Sequence, residues 1–166
     1  MSRSDYREDC DDMWALIRWR GAVAAATRGR RGQAMLKELL HALDALPEKR
    51  LAADSLVSAD GDYCALGALG RLRNIDLESI DPYEHEAVAG AFGIAEALAR
   101  EVMYMNDEWV RKTKCVTVEI CGPMRLGWPD YGKHTRQVVV DDERAAEKRW
   151  NHVRDWVASQ IQETTE

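Results

Sequence analysis

His85-Glu86-Ala87-Val88-Ala89 opens like the helix motif of zinc proteases, in which two histidines one turn apart converge on a metal. The second ligand position is Ala89, so two ring nitrogens cannot meet there. His41, His134 and His152 are scattered along the chain, and Ser55, Ser58, Ser79 and Ser159 lack the glycine framing of a nucleophile elbow. Gly67 and Gly70 lack the Gly-Lys-Ser/Thr ending of a phosphate loop, so they are expected to serve close helix packing. Two acidic stretches, Asp9 with Asp11 and Asp12, and Asn106-Asp107-Glu108, have the hard oxygen ligands that a cation would take. Acidic helix ends of this kind usually bind nothing, so no catalytic residue, metal or cofactor is expected.

Residue types suited to binding are easier to find. Gly122 to His134 separates two predicted strands and carries Arg125, Trp128, Tyr131, Lys133 and His134. Rigid aromatics beside positive charge are enriched at binding hot spots, and loops of about a dozen residues are often functional. Charge is segregated along the sequence. Residues 18–50 are net +5, with Arg18, Arg20, Arg28, Arg30 and Arg31 close together, whereas residues 76–108 hold nine acids against Arg100 alone and are net −8. Residues 1–17 are net −3. Either the blocks neutralise each other across helix contacts, or Glu84, Glu86 and Glu96 belong to an acidic face suited to a protein whose own site is basic. The total charge of −6 argues against bulk coating of nucleic acid. A smaller basic surface from Arg18 to Arg31 with the 125–134 loop would nonetheless suit phosphate and bases.

The elements that must carry these groups follow from periodicity. Met13, Leu16, Ile17, Trp19 and Val23 predict a helix over 11–27 with one apolar stripe, and Trp14 and Trp19 on this helix are expected in the core. Arg28-Gly29-Arg30-Arg31-Gly32 is expected to break it. A second helix, 33–46, is marked by Leu36, Leu39, Leu40 and Leu43 and closed by Pro47, making a helical hairpin with the first. After an irregular connector, Cys64 to Arg73 reads as a short helix. Asp81-Pro82-x-Glu84 supplies a cap, a first-turn proline and an acid for the next, which ends near Gly93. Another runs from Ile94 to Met105.

Val116, Val118 and Ile120 alternate with polar residues, and Val138 to Val140 form a second β-branched run, predicting an antiparallel hairpin over about 114–140. Asp141-Asp142-Glu143 is expected to open a last helix to Gln162, with Ala146, Trp150, Val153 and Val157 inward and Trp156 beside them. The reading is a mainly α single domain, 1–166. It is a compact bundle of five or six helices (core 9–108 and 142–162) with one two-stranded hairpin before the C-terminal helix.

At 166 residues the chain can bury roughly 70% of its unfolded surface without a staple. Cys10, Cys64, Cys115 and Cys121 contain no Cys-x-x-Cys pair and are expected as reduced thiols. The polar amino terminus and the lack of any run of about 18 apolar residues predict a cytoplasmic chain with no membrane association.

Several segments together resemble a group of small proteins encoded by tailed phages and prophages of proteobacteria. They are Asp12-Met-Trp-Ala-Leu-Ile-Arg-Trp-Arg-Gly21, Arg31-Gly-Gln-Ala34, Leu46-Pro-Glu-Lys-Arg-Leu51, Cys64-Ala-Leu-Gly-Ala-Leu-Gly70, Tyr104-Met-Asn-Asp-Glu108, and Arg149-Trp with Arg154-Asp-Trp-Val-Ala-Ser-Gln-Ile161. Some members lack the hairpin between Trp109 and Asp141, which makes it an elaboration on a helical core. The resemblance carries over no catalytic residues. It implies an accessory factor that binds a host protein, including inhibitors of CRISPR effectors and other defence systems. The expected function is therefore a non-enzymatic inhibitor of a host antiviral nucleoprotein complex. The alternatives are a small nucleic-acid-binding protein and a cryptic enzyme or metal protein.

Overall fold

The computed structural model describes Ser4, residues 13–120 and residues 134–162. Among these are six helices, α1 (Met13–Arg28), α2 (Arg30–Ala45), α3 (Ala65–Leu72), α4 (His85–Phe92), α5 (Glu96–Asp107) and α6 (Ala145–Gln160), and two strands, β1 (Thr113–Ile120) and β2 (His134–Asp141). The mainly α fold with a hairpin before the last helix is the one expected. The chain divides into two compact units, residues 1–110 with 146–166, and residues 111–145.

In the larger unit the core is built where apolar residues recur at three and four. Met35, Leu36, Leu39 and Leu43 of α2 meet Leu66 and Leu69 of α3, Val88 and Phe92 of α4, Leu98, Val102 and Met103 of α5, and Val153 and Val157 of α6. Trp150 and Trp156 are half-buried against this cluster, and the Trp150 indole N–H donates to the Leu43 carbonyl at 3.1 Å. The connector between α2 and α3 is irregular, closed by one antiparallel bridge, Val57 to Tyr63, around Gly61 at φ +84.

Helix α1 departs from expectation. Trp14 is 72% exposed, Met13 67% and Ile17 52%, and Thr27 is its one fully buried residue. The half-buried line runs through Leu16, Trp19, Val23 and Ala26. At about 100° per residue, Ile17 and Trp14 lie roughly 140° and 160° around the helix from the centre of that line. The helix is apolar on two faces, and the core takes one of them. Trp14 is thus a surface residue, and Trp19 a half-buried one.

The expected break at 28–32 narrows to a single residue. Gly29 alone is extended, at φ −64 and ψ 152, and Arg30 and Arg31 already belong to α2. Gly32 serves packing: a Cβ there would stand 1.9 Å from the Ala26 carbonyl oxygen, so only glycine lets α1 and α2 close so tightly. Gly67 plays the same part in α3, where a Cβ would lie 2.0 Å from the Leu56 carbonyl oxygen. The Gln33 side chain then ties three elements, donating to the carbonyls of Thr27 (2.8 Å) and Gln160 (2.9 Å) and accepting from the Gln162 amide (2.8 Å).

Two helix starts also shift. Asp81 accepts from the Tyr83 amide (2.9 Å) in a turn of its own, and α4 opens at His85 instead of Pro82. Asp142 likewise accepts from Arg144 (3.3 Å) beyond β2, and α6 opens at Ala145. Aspartate satisfies a nearby amide as readily in a turn as in a helix cap, so the same local bond fits both outcomes. The α4 ending is as expected, with Gly93 left-handed at φ 64.

In the smaller unit β1 and β2 pair antiparallel, Thr113 opposite Asp141 through Ile120 opposite His134. Val116, Val118, Val138 and Val140 share the half-buried face, while Cys115 and Val139 are exposed on the other.

Candidate functional site

The candidate is two groups of exposed, oppositely charged side chains on the larger unit. Glu84, Glu86 and Glu96 are all exposed, placed by the N-cap and first turn of α4 and the first turn of α5. Helix α4 has eight residues, about 12 Å, so Glu84 and Glu86 at its start stand about a helix length from Glu96 beyond its end. Glu96 meets Arg100 at 3.7 Å across one turn. Among the described residues Glu84 and Glu86 have no ion-pair partner. Tyr83, 54% exposed, stands beside them.

Arg18, Arg20, Arg28, Arg30 and Arg31 are all exposed and also lack an ion-pair partner among the described residues. Ten residues of α1, about 15 Å, separate Arg18 from Arg28, and the other two follow directly at the start of α2. The first turn of α2 contains no acid, so its positive dipole end adds to the arginines' field. The two blocks approach where Arg20 faces Glu101. Burial pushes the Glu101 carboxyl above the usual carboxylate range, and Arg20 offsets this in part. Both line a cavity of about 400 Å³ with Trp19, Thr27, Arg28 and Gln160.

The single base of the 76–108 block is used internally. The Arg100 guanidinium lies 4.3 Å from the centroid of the Trp19 ring and donates to the Ser4 carbonyl at 2.8 Å. Other acids of the block accept local hydrogen bonds: Asp76 from the Glu78 backbone amide (3.2 Å), and the Asp107 carboxylate from the Asp54 backbone amide (3.1 Å) and the Asn106 side-chain amide (2.7 Å).

Asn106, weighed from the sequence only as part of an acidic stretch that could hold a cation, is a buried polar centre of the unit. It is 1% exposed, accepts from the Ala65 amide at 3.0 Å and donates to the Ala52 carbonyl at 2.8 Å. Its amide is spent on holding the start of α3, and Glu108 accepts from the Ser4 hydroxyl. Among the described residues no group of three or more His, Cys, Asp or Glu side chains is placed to hold a metal ion. Arg149, 3% exposed, donates to the Leu51 carbonyl at 2.7 Å, and burial pushes its guanidinium below the usual arginine range, an effect that Asp107 and Asp54 offset in part. His152 stacks on the Trp109 ring at 5.0 Å and 6°, and burial holds its imidazole below the usual histidine range.

Arg125, Trp128, Tyr131 and Lys133 lie outside the described residues, as do Asp9, Asp11, Asp12, Cys10 and Cys121. The backbone of His134 opens β2 opposite Ile120. Among the described residues no helix is long and apolar enough to cross a membrane. No family model, curated protein or solved structure matches the chain.

Proposed function

We propose that this chain is a non-enzymatic interaction protein that binds and inhibits a host antiviral nucleoprotein complex through its acidic surface. The observation that supports this reading is the lack of internal neutralisation: Glu84 and Glu86 remain exposed and unmatched among the described residues, while Arg100, the base of their block, is held against Trp19. Unmatched carboxylates beside an exposed tyrosine offer a partner's basic site both steering and an aromatic anchor. The host setting is part of the proposal and rests on the resemblance of the quoted sequence segments alone. Affinity capture from host lysate should recover a nucleic-acid-handling protein with the wild-type chain. Reversal of Glu84, Glu86 and Glu96 to arginine should abolish the recovery, and undiminished capture by that variant overturns the acidic-surface reading.

A second reading, direct nucleic-acid binding, is favoured by the five exposed arginines of α1 and α2. It predicts a gel shift with DNA at low salt that falls steeply as salt rises. No shift at low salt removes it.

A further inference from the structure

The cavity of about 400 Å³ walled by α1, α5 and the C-terminal end of α6 holds groups that the acidic surface does not use. Its volume lies in the range of small-molecule sites. Arg20, Ala24, Thr27 and Arg28 line it at helical spacing, so one face of α1 forms a wall, and Trp19 and Glu101 stand with them. Ala24 is small and half-buried, which leaves the middle of that wall open. Three lining groups have unfilled hydrogen-bonding capacity. The Arg20 charge is near enough to act on half-buried Glu101, yet among the described residues neither makes an ion pair or a hydrogen bond. Burial pushes the Glu101 carboxyl upward, as it does for a carboxylate that no donor faces. Thr27 is 5% exposed and its hydroxyl has no partner among the described residues, although buried polar groups are paired as a rule. Arg28 stands exposed about two turns beyond Arg20, about 12 Å along α1.

A ligand that fills this arrangement must set acceptors at Arg20 beside donors at Glu101, and carry an anionic group for Arg28. Guanidinium and carboxylate are both two-pronged, so the best match is an edge with two adjacent acceptors and two adjacent donors. Guanine alone among the nucleic bases has that edge: N7 and O6 accept from an arginine, and N1–H and the N2 amino group donate to a carboxylate. Adenine offers a single donor group there, and an amino acid is too short to reach Arg28 as well. The Thr27 hydroxyl and the Arg28 guanidinium then suit one phosphate. Glu101 and the carbonyl end of α6 repel further negative charge, which favours a mononucleotide over a strand. We infer that this cavity is a binding site for a guanine mononucleotide, with Arg20 and Glu101 reading the base and Thr27 and Arg28 holding the phosphate. The inference goes beyond the proposed function and does not rest on it, since Glu84, Glu86 and Glu96 do not line the cavity.

Isothermal titration calorimetry on the purified full chain at low salt, with GMP, AMP, guanosine and inorganic phosphate as probes, tests it without any host partner. GMP should bind at micromolar concentrations, and AMP and inorganic phosphate each at least about tenfold more weakly. Glu101→Gln turns one acceptor into a donor and should weaken GMP by at least about tenfold. Arg28→Met, at an exposed position, should reduce GMP to the affinity of guanosine and leave guanosine itself unchanged. Ala24→Leu should fill the cavity and abolish binding, with circular dichroism checking that each variant keeps its helices. A wild-type chain that does not bind GMP overturns the inference. Equal affinity for GMP and AMP overturns it as well, as does GMP binding that folded Glu101→Gln and Arg28→Met both leave intact.

Discussion

Arg100 lies over the Trp19 ring, 4.3 Å from its centroid, so the acidic 76–108 stretch spends its one cation on pinning α1 to α5. The same guanidinium meets Glu96 at 3.7 Å, so the exposed Glu84 and Glu86 are the acids of the stretch that it leaves unmatched among the described residues. Replacing Arg100 by methionine keeps much of the stem but removes the charge over the ring and the donor to the Ser4 carbonyl. Loss of about 1–2 kcal/mol in urea unfolding is expected, with altered Trp19 emission. An unchanged midpoint and spectrum would show that the contact contributes nothing.

The glycines should separate by position. Gly32→Ala should destabilise by about 2 kcal/mol or more, since its methyl would meet the Ala26 carbonyl oxygen at 1.9 Å and neither helix backbone can yield cheaply. Gly90 lies inside α4, where an added methyl would have nothing within 4 Å, so Gly90→Ala should stabilise by about 0.5–1 kcal/mol. Thermal unfolding of the two variants beside the wild type checks both signs.

Asn106→Leu should cost about 2–4 kcal/mol, because the Ala65 amide and the Ala52 carbonyl would each lose a buried partner. Asn106→Asp keeps the acceptor for Ala65 but loses the donor and sets a carboxylate beside Asp107. It should therefore also destabilise, and more so at neutral than at acidic pH. Denaturant midpoints at two pH values distinguish the two losses.

Glu101 gives a second pH signature. Burial raises its carboxyl, so the folded chain holds this proton more tightly than the unfolded chain does, and stability falls as pH rises from the unfolded value through the folded one. Glu101→Gln should therefore raise the melting temperature at pH 7 and lose that advantage where the wild-type carboxyl is protonated. A variant less stable than wild type at pH 7 would contradict the assignment.

The order of elements is legible in the sequence because each segment keeps its own period. Three and four in α2 and α5, and two in β1, survive in the fold, and Gly93 ends α4 as its left-handed conformation requires. The faces are less legible. Met13, Trp14 and Ile17 fit a helical stripe by spacing, yet α1 carries a second apolar line, and only tertiary contacts decide which line is buried. Gly29 and Gly32 read alike as breakers, although one makes the turn and the other a helix crossing.

Asn106 and Arg149 carry a fainter signal. Asn106 continues the buried line of Ala99 and Val102, and Arg149 sits between Ala146 and Val153 on α6. A polar residue on an apolar stripe marks a buried hydrogen-bond centre. Exposed Glu84 and Glu86 follow from composition, but their lack of a counterion among the described residues needs the structure, because sequence separation does not say which charges meet.

The acidic-surface account is tested most directly by competition. With the captured partner purified, its binding to labelled nucleic acid is measured as the wild-type chain or the Glu84→Arg, Glu86→Arg, Glu96→Arg variant is added. The account predicts that the wild type displaces or blocks the nucleic acid and that the folded variant fails to do so by at least about tenfold in concentration. Equal inhibition by both chains, or none by either, would contradict it.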